Sequence, residues 1–205
     1  IVPAVCDIVD IAGLVKGASK GEGLGNKFLA NIRECDAIIH VLRCFDDSGI
    51  VHVDGSVDPV RDKEIIDMEL QLKDLETLEN RAKRVEKAAR VGGDKAAKIE
   101  MDVIDTYRKV LLEGKSARTV TFDTEDEIAA AKSLFLLTAK PVLYVCNVDD
   151  KSASTGNEHT ARVAEAIKDE DAEMLIISAQ TEADIAELET YEEKQMFLED
   201  MGLQE

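Results

Sequence analysis

Asp10 and Gly13 are the first residues whose types and spacing could do chemistry, because they follow a short apolar run. We predict that residues 5–9 form a β-strand ending at Asp10. A carboxylate there can hold Mg²⁺ through water, and a glycine three residues later lets a backbone N–H approach a terminal phosphate without interference from a Cβ. An Asp followed by a turn Gly is also common in folds without such a site, so this pair alone leaves both interpretations open.

Polar residues also follow two further apolar runs, at residues 141–146 and 174–177, which we predict to be strands. The residues concerned are Asn147, Val148, Asp150, Ser178, Ala179 and Gln180. An Asn or Asp side chain at a strand end can contact the edge of a base, and a turn of small residues lets a base approach closely. Taken alone, the Asn147 group is better explained by ordinary turn chemistry, and the Ser178 group by itself indicates almost nothing. Because ligands of open α/β sheets bind beyond the carboxyl ends of the strands, we expect all three groups to share one site.

The elements that must position these residues alternate along the chain. We predict another strand at 37–45, whose nearly continuous apolar character is typical of a parallel strand covered on both faces. Helices are predicted at 26–34, 125–137 and 158–168, and a last acidic helix begins near Glu182. This order predicts an α/β fold with a parallel sheet.

A helical insertion interrupts that order. Apolar residues at steps of three and four predict a helix over 59–91, and a second helix over 94–113 follows the break at Gly92-Gly93. The predicted stripe of the first helix is Met68, Leu72, Leu75, Leu78, Ala82, Val85 and Ala89. Two long helices joined by a glycine turn predict a coiled-coil-like hairpin. We therefore divide the chain into an α/β domain (1–57 and 119–205) and an inserted hairpin (58–118).

Charge is distributed unevenly. The net charge is −18 and the isoelectric point about 4.6, which disfavours a protein that coats nucleic acid. Residues 81–118 nevertheless carry eleven basic and six acidic side chains. The basic ones are Arg81, Lys83, Arg84, Lys87, Arg90, Lys95, Lys98, Arg108, Lys109, Lys115 and Arg118. The hairpin is therefore the region expected to accept an anionic partner.

The four cysteines have no C-x-x-C spacing and lie in or beside apolar runs. We predict buried free thiols in a reducing compartment, which indicates a cytoplasmic protein. Neither a signal peptide nor a membrane-spanning run is visible. Because the chain does not begin with Met and opens directly into a strand-like run, we expect it to be an internal part of a longer protein.

Taken together, the three motifs occur in the order of the GTPase switch, base-reading and base-supporting motifs. The longer run DIAGLVKGASKGEGLGNKFLANIRE at 10–34 strongly resembles the switch region of the YchF-type P-loop nucleotidases, the Obg-like ATPases. So do VLRCF at 41–45, IVHV at 50–53, GGD at 92–94 and LLTAKP at 136–141. The resemblance implies a P-loop NTPase (G-domain) fold, with three layers, a mostly parallel sheet and an inserted α-helical coiled coil.

The resemblance also implies an activity. Family members hydrolyse ATP or GTP and associate with ribosomes, so we expect Mg²⁺ as cofactor, held by Asp10 through water. The basic hairpin would contact ribosomal RNA or a ribosomal protein. An alternative is a non-catalytic ribosome- or nucleic-acid-binding module that acts through this hairpin, and a third is a purely structural domain.

One position departs from many GTPases, which place a water-orienting Gln directly after D-x-x-G. Here that position is Leu14, whose side chain cannot orient water. The family is thought to use a His on the loop after the next strand, which matches His52. A packed or surface histidine is the alternative for His52. His40 lies within a predicted strand and is interpreted as structural, and His159 opens a helix without a functional context.

The choice of base stays open. Many GTPases have Lys directly after the Asn, where this chain has Val148. The family usually has Glu at the last motif position and prefers ATP, whereas Asp150 is the more guanine-like residue. On the resemblance we expect ATP.

The phosphate-binding sequence G-x-x-x-x-G-K-[ST] does not occur in these 205 residues. Gly114-Lys115-Ser116 matches the last three residues of this sequence. We reject it as a phosphate-binding loop, because Lys109 stands where the first glycine should be and because a predicted helix, not a strand, precedes Gly114. By resemblance this loop would precede Asp10, and the family's TGS domain would follow residue 205. We therefore expect the chain alone to be inactive.

Overall fold

The computed structural model describes residues 5–11, 26–47, 49, 55–91, 94–200 and 202. Within these residues lies a three-stranded sheet of β1 (Ile38–Arg43), β2 (Val142–Asn147) and β3 (Glu173–Ile177). The strands are hydrogen-bonded in the order β1-β2-β3 and both pairs are parallel. The predicted parallel α/β arrangement is confirmed, and the carboxyl ends of the strands meet at one edge.

Seven α-helices are described. They are α1 (Asn26–Glu34), α2 (Pro59–Val91), α3 (Lys95–Leu112), α4 (Glu125–Ser133), α5 (Glu158–Ile167), α6 (Ala179–Glu187) and α7 (Tyr191–Asp200). Two predictions about helix bounds were wrong. α4 ends at Ser133 instead of residue 137, because the chain turns at Phe135 (φ 49°) and buries Leu134, Leu136 and Leu137. The last predicted helix is two helices, and the first begins at Ala179.

Residues 5–9 are not a strand, so that prediction was wrong. Val5, Ile8 and Val9 are 91%, 78% and 63% exposed. In the described part of the chain, β1 is hydrogen-bonded to β2 alone, and residues 5–11 belong to no sheet. An apolar alternation becomes a strand when a neighbouring strand satisfies its backbone, and residues 5–11 have no such neighbour there.

The second half of α2 and α3 pack together through an apolar core. Leu78 of α2 is buried against Val103, Ile104 and Tyr107 of α3. The stripe prediction was wrong at Met68 and Leu72, which are more than half exposed. The first half of α2 instead turns Leu70 and Asp74 inward, because there it packs against α1 and the segment before β2.

Asp74 is a buried carboxylate that joins α2 to the segment before β2. Its Oδ1 accepts a hydrogen bond from Leu137 N at 2.8 Å. Its Oδ2 accepts from Thr138 N at 2.8 Å and from Thr138 Oγ1 at 2.7 Å. The side chain of Thr138 in turn accepts from Ala117 N at 3.1 Å, so the middle of α2 and the segment that follows α3 are both bonded to Thr138.

A second node surrounds Glu170, which precedes β3. Its carboxylate forms ion pairs with Lys63 of α2 and, at 3.0 Å, with Arg118, which follows α3. Tyr144 in β2 donates its hydroxyl to the same carboxylate at 2.9 Å. Burial would raise the pKa of Glu170, but the hydrogen bonds and charges of Lys63, Tyr144 and Arg118 hold it below its ordinary value. This ion pair network attaches the start of α2 and the segment that follows α3 to the sheet.

The cysteines agree with the prediction in part. All four are free; Cys44 and Cys146 are fully buried and Cys35 is half-buried, but Cys6 is exposed, so its predicted burial was wrong. Cys6 lies in the unpaired segment 5–11, which explains its exposure. Among the described residues, no helix combines the length and apolar character needed to cross a membrane.

Candidate functional site

The end of β2 and the start of α6 form the centre of the candidate site. Asn147 closes β2, and its side-chain Oδ1 accepts a hydrogen bond from Ala179 N at 2.9 Å. Backbone hydrogen bonds support it from both sides: Cys44 N donates to Asn147 O at 2.7 Å, and Val148 N donates to Ile177 O at 2.8 Å. The three strands therefore hold this edge as one rigid frame.

Asp150 is bound by two hydroxyl groups of the neighbouring element. Its Oδ1 accepts from Ser178 Oγ at 2.6 Å and from Thr181 Oγ1 at 2.8 Å. The Ser178 hydroxyl, followed by that of Thr181, holds the pKa of Asp150 below its ordinary value. The carboxylate is therefore charged and exposed at neutral pH, in a fixed orientation at the edge of the sheet.

The remaining predicted residues of these motifs have different roles. Val148 is 3% exposed and packs in the core under the sheet, so its side chain contributes apolar support and no polar contact. Ser178 is the N-cap of α6, with its Oγ accepting from Thr181 N at 3.2 Å. Gln180 donates to Asp184 within α6 at 2.8 Å, away from Asp150.

The sequence motifs missed two residues that build this edge. Thr181 contributes the second hydroxyl to Asp150, and a Thr three residues after an N-cap Ser is the signal that could have found it. Asn157 caps α5 and donates its Nδ2 to Cys44 O at 2.7 Å, joining the end of β1 to α5. An Asn directly before a helical pattern is a cap signal, but no local pattern indicates this second contact.

The switch residues are not brought into this cluster by the described part of the chain. Asp10 is exposed and forms no hydrogen bond there to the residues around Asn147 and Asp150. Gly13 and His52 lie outside the described residues, so their predicted roles stay predictions. Within the described ranges, no group of three or more His, Cys, Asp or Glu side chains could hold a metal ion. The role of Asp10 as a Mg²⁺ ligand also stays a prediction. A Mg²⁺ site needs no group of three such side chains, because one carboxylate together with nucleotide phosphates suffices.

The other two histidines have structural surroundings. The His40 ring packs on Tyr144, with 5.6 Å between ring centroids, and burial lowers its pKa, so it is neutral at pH 7. His159 Nε2 lies 3.3 Å from Asp46 Oδ2. Gly114 follows α3 with φ +76°, the ordinary conformation of a residue after a helix, so Gly114-Lys115-Ser116 lies at a helix end and not at a strand-to-helix phosphate turn.

Comparison with known proteins identifies relatives along the whole chain. Residues 3–89 match the family described as 50S ribosome-binding GTPase. The ribosome-binding ATPase YchF of Bacillus subtilis is 50% identical over 206 residues, covering 100% of this chain and 56% of that protein. Obg-like ATPase 1 of Saccharomyces cerevisiae is 47% identical over 169 residues, covering 80% of this chain and 43% of that protein.

A solved structure agrees with these sequence matches. The YchF GTPase of Schizosaccharomyces pombe superposes with a TM-score of 0.80 at 34% sequence identity. The match covers 95% of this chain and 53% of that chain. The chain spans about half the length of the relatives it matches. These matches confirm the family resemblance and the P-loop GTPase fold class predicted from the motifs.

Proposed function

We propose that the protein binds and hydrolyses ATP or GTP with Mg²⁺ and associates with ribosomes in the cytoplasm, because this chain is similar to YchF over its whole length and to Obg-like ATPase 1 over 80% of it. The observation that carries the proposal is the hydrogen-bonded cluster at the carboxyl edge of the sheet, where Asn147 meets Ala179 and Asp150 meets Ser178. This edge is where an α/β sheet of this kind binds its ligand.

Each site residue has a chemical role in this proposal. The exposed carboxylate of Asp150 accepts a hydrogen bond from the base, while Asn147 orients the turn at Ala179 against which the base packs. Asp10 holds Mg²⁺ through water, and the Mg²⁺ neutralises charge on the phosphates. The backbone of Gly13 contacts the terminal phosphate.

His52 takes the role of orienting the attacking water, since Leu14 has no polar group for it. Hydrolysis further requires a phosphate-binding loop, and no G-x-x-x-x-G-K-[ST] sequence occurs in these 205 residues. We therefore expect residues 1–205 alone to be inactive and assign the activity to a protein that also supplies this loop. ATP is the expected substrate on family grounds.

The hairpin is the proposed ribosome contact. Its tip, which we define as residues 81–98, has seven basic and two acidic side chains, whereas residues 59–80 have three basic and seven acidic ones. Lys83, Arg84 and Lys87 of the tip are exposed. The positive charge is thus concentrated at the end of the hairpin far from the sheet, where ribosomal RNA or an acidic surface of a ribosomal protein can reach it.

The nucleotide proposal is tested by titration calorimetry of ATP and GTP, with Mg²⁺, against both the 205-residue chain and the full-length protein. We expect binding to the full-length protein, with ATP the tighter ligand, and none to the chain alone. A full-length protein that binds neither nucleotide would refute the proposed activity. Tighter binding of GTP would show that Asp150 selects guanine.

The ribosome contact has a separate test. In the full-length protein, Arg84→Glu with Lys87→Glu should abolish co-sedimentation with ribosomes, because both charges lie on the exposed tip. The matched control reverses Lys132 and Lys168, which are exposed residues outside the hairpin. Equal co-sedimentation of both variants and the unmodified protein would exclude the hairpin as the contact and would leave the nucleotide site untouched.

A further inference from the structure

We propose that Thr181 is a positioning residue for nucleotide binding, which fixes the carboxylate of Asp150 so that its Oδ2 faces the base. The inference rests on the proposed function, because it assumes that Asp150 contacts a base. None of the motifs that predict the site includes Thr181.

The geometry divides the two carboxylate oxygens of Asp150 between protein and ligand. Oδ1 receives both hydroxyls, from Ser178 at 2.6 Å and from Thr181 at 2.8 Å, so both of its lone pairs are used. In the described part of the chain, Oδ2 accepts no hydrogen bond. One hydroxyl alone would leave the carboxylate free to rotate about that contact, whereas two donors on one oxygen define its plane.

Burial distinguishes the donors from the acceptor. Thr181 is 2% and Ser178 3% exposed, whereas Asp150 is exposed. A helical Thr hydroxyl usually bonds the carbonyl four residues earlier, which here is Ile177 O. That carbonyl already accepts from Val148 N at 2.8 Å, and the Thr181 hydroxyl donates to Asp150. The fold thus directs a buried hydroxyl at an exposed carboxylate, an arrangement suited to presenting that carboxylate to a ligand.

The test compares Thr181→Val with Thr181→Ser in the full-length protein. Valine keeps the shape of the side chain without the hydroxyl, and serine keeps the hydroxyl. Affinities for ATP, GTP and inorganic tripolyphosphate are measured by calorimetry with Mg²⁺, together with kcat. We expect Thr181→Val to weaken binding of the better nucleotide about tenfold, the effect of one hydrogen bond to a charged group. Tripolyphosphate affinity and kcat should stay the same, and Thr181→Ser should restore nucleotide affinity.

A double-mutant cycle with Asp150→Asn isolates the contact from any general loss of structure. If Thr181 acts through Asp150, Thr181→Val should have little further effect in the Asp150→Asn background. Equal loss of nucleotide and tripolyphosphate affinity would mean a purely structural role and would overturn the inference, as would a Thr181→Val variant that binds nucleotide normally. If the unmodified protein binds neither ATP nor GTP, the proposed function itself fails, which is a distinguishable result.

Discussion

Replacing Asp74 with Ala should destabilise the fold strongly, although none of the motifs includes Asp74. Asp74 is 1% exposed and accepts hydrogen bonds from Leu137 N and Thr138 N, both on residues that are 2% exposed or less. Alanine would leave both backbone donors buried and unpaired. The Thr138 hydroxyl also loses its acceptor, but a hydroxyl can rotate toward another one, so it is not counted.

The magnitude follows from those two donors. A buried donor without a partner costs about 1–3 kcal/mol, which gives about 2–6 kcal/mol for the pair. Removing a buried carboxylate relieves part of its desolvation cost, and burial does raise the pKa of Asp74. We therefore expect a loss of about 3 kcal/mol. Asp74→Asn keeps one acceptor oxygen but turns an amide donor toward the other N–H, so it should cost about half as much.

Urea denaturation followed by circular dichroism measures this loss as a lower midpoint at an unchanged slope. The matched control is Asp102→Ala, an exposed Asp in α3, which should change the free energy of unfolding by less than about 0.5 kcal/mol. If Asp74→Ala unfolds at the same urea concentration as that control, Asp74 is not the junction that its hydrogen bonds indicate.

Three further changes have defined outcomes. In the full-length protein, His52→Ala should slow hydrolysis about a hundredfold or more with nearly unchanged nucleotide affinity; normal turnover would remove His52 from the mechanism. Glu170→Gln should make the free energy of unfolding depend less on pH, because a carboxylate with a lowered pKa stabilises the fold above its ordinary pKa and loses that contribution as the pH falls. Urea midpoints between pH 7 and pH 3 measure this dependence. If the midpoints of the variant and the unmodified protein fall equally with pH, the prediction is contradicted. Lys115→Ala should leave ATP affinity unchanged, since Lys115 follows a helix end and pairs with Glu113; a large loss in calorimetry would show that its rejection as a phosphate ligand was wrong.

The helices and strands that were predicted well are those whose signal is local. β1 and β2 are continuous apolar runs ended by polar residues, and α2 has a long apolar period that starts at Pro59. Residues 5–9 have the same local signal as a strand, but a strand also requires a neighbour to bond, which no local pattern contains. The exposure of Met68 and Leu72 has a similar origin. Their spacing fits one face of a helix, but the face of α2 that packs against other elements changes along its length.

In the candidate site too, residues with a local sequence signal were predicted, and residues whose role depends on a distant contact were missed. Asn147, Asp150 and Ser178 were predicted because each closes a strand. Thr181 was missed because its role depends on a contact with a residue 31 positions earlier. No local pattern indicates that Lys63 is buried, yet it is 3% exposed, because it pairs with Glu170, 107 positions later.

Glu170 and Asp74 hold the hairpin at the end near the sheet, while the rest of α2 extends beyond these contacts. α2 runs without interruption for 33 residues, which corresponds to about 50 Å. Because Asp74 also holds α2, the part of α2 beyond these contacts runs from Asp74 to Val91, and a rotation of about 5° there would displace the far end of α2 by about 2 Å. Tyr144 bonds to the same carboxylate and lies three residues before Asn147 in β2. A displacement that is small at the sheet would be larger at the tip, and a force on the tip would act beside Asn147, the proposed base-reading residue.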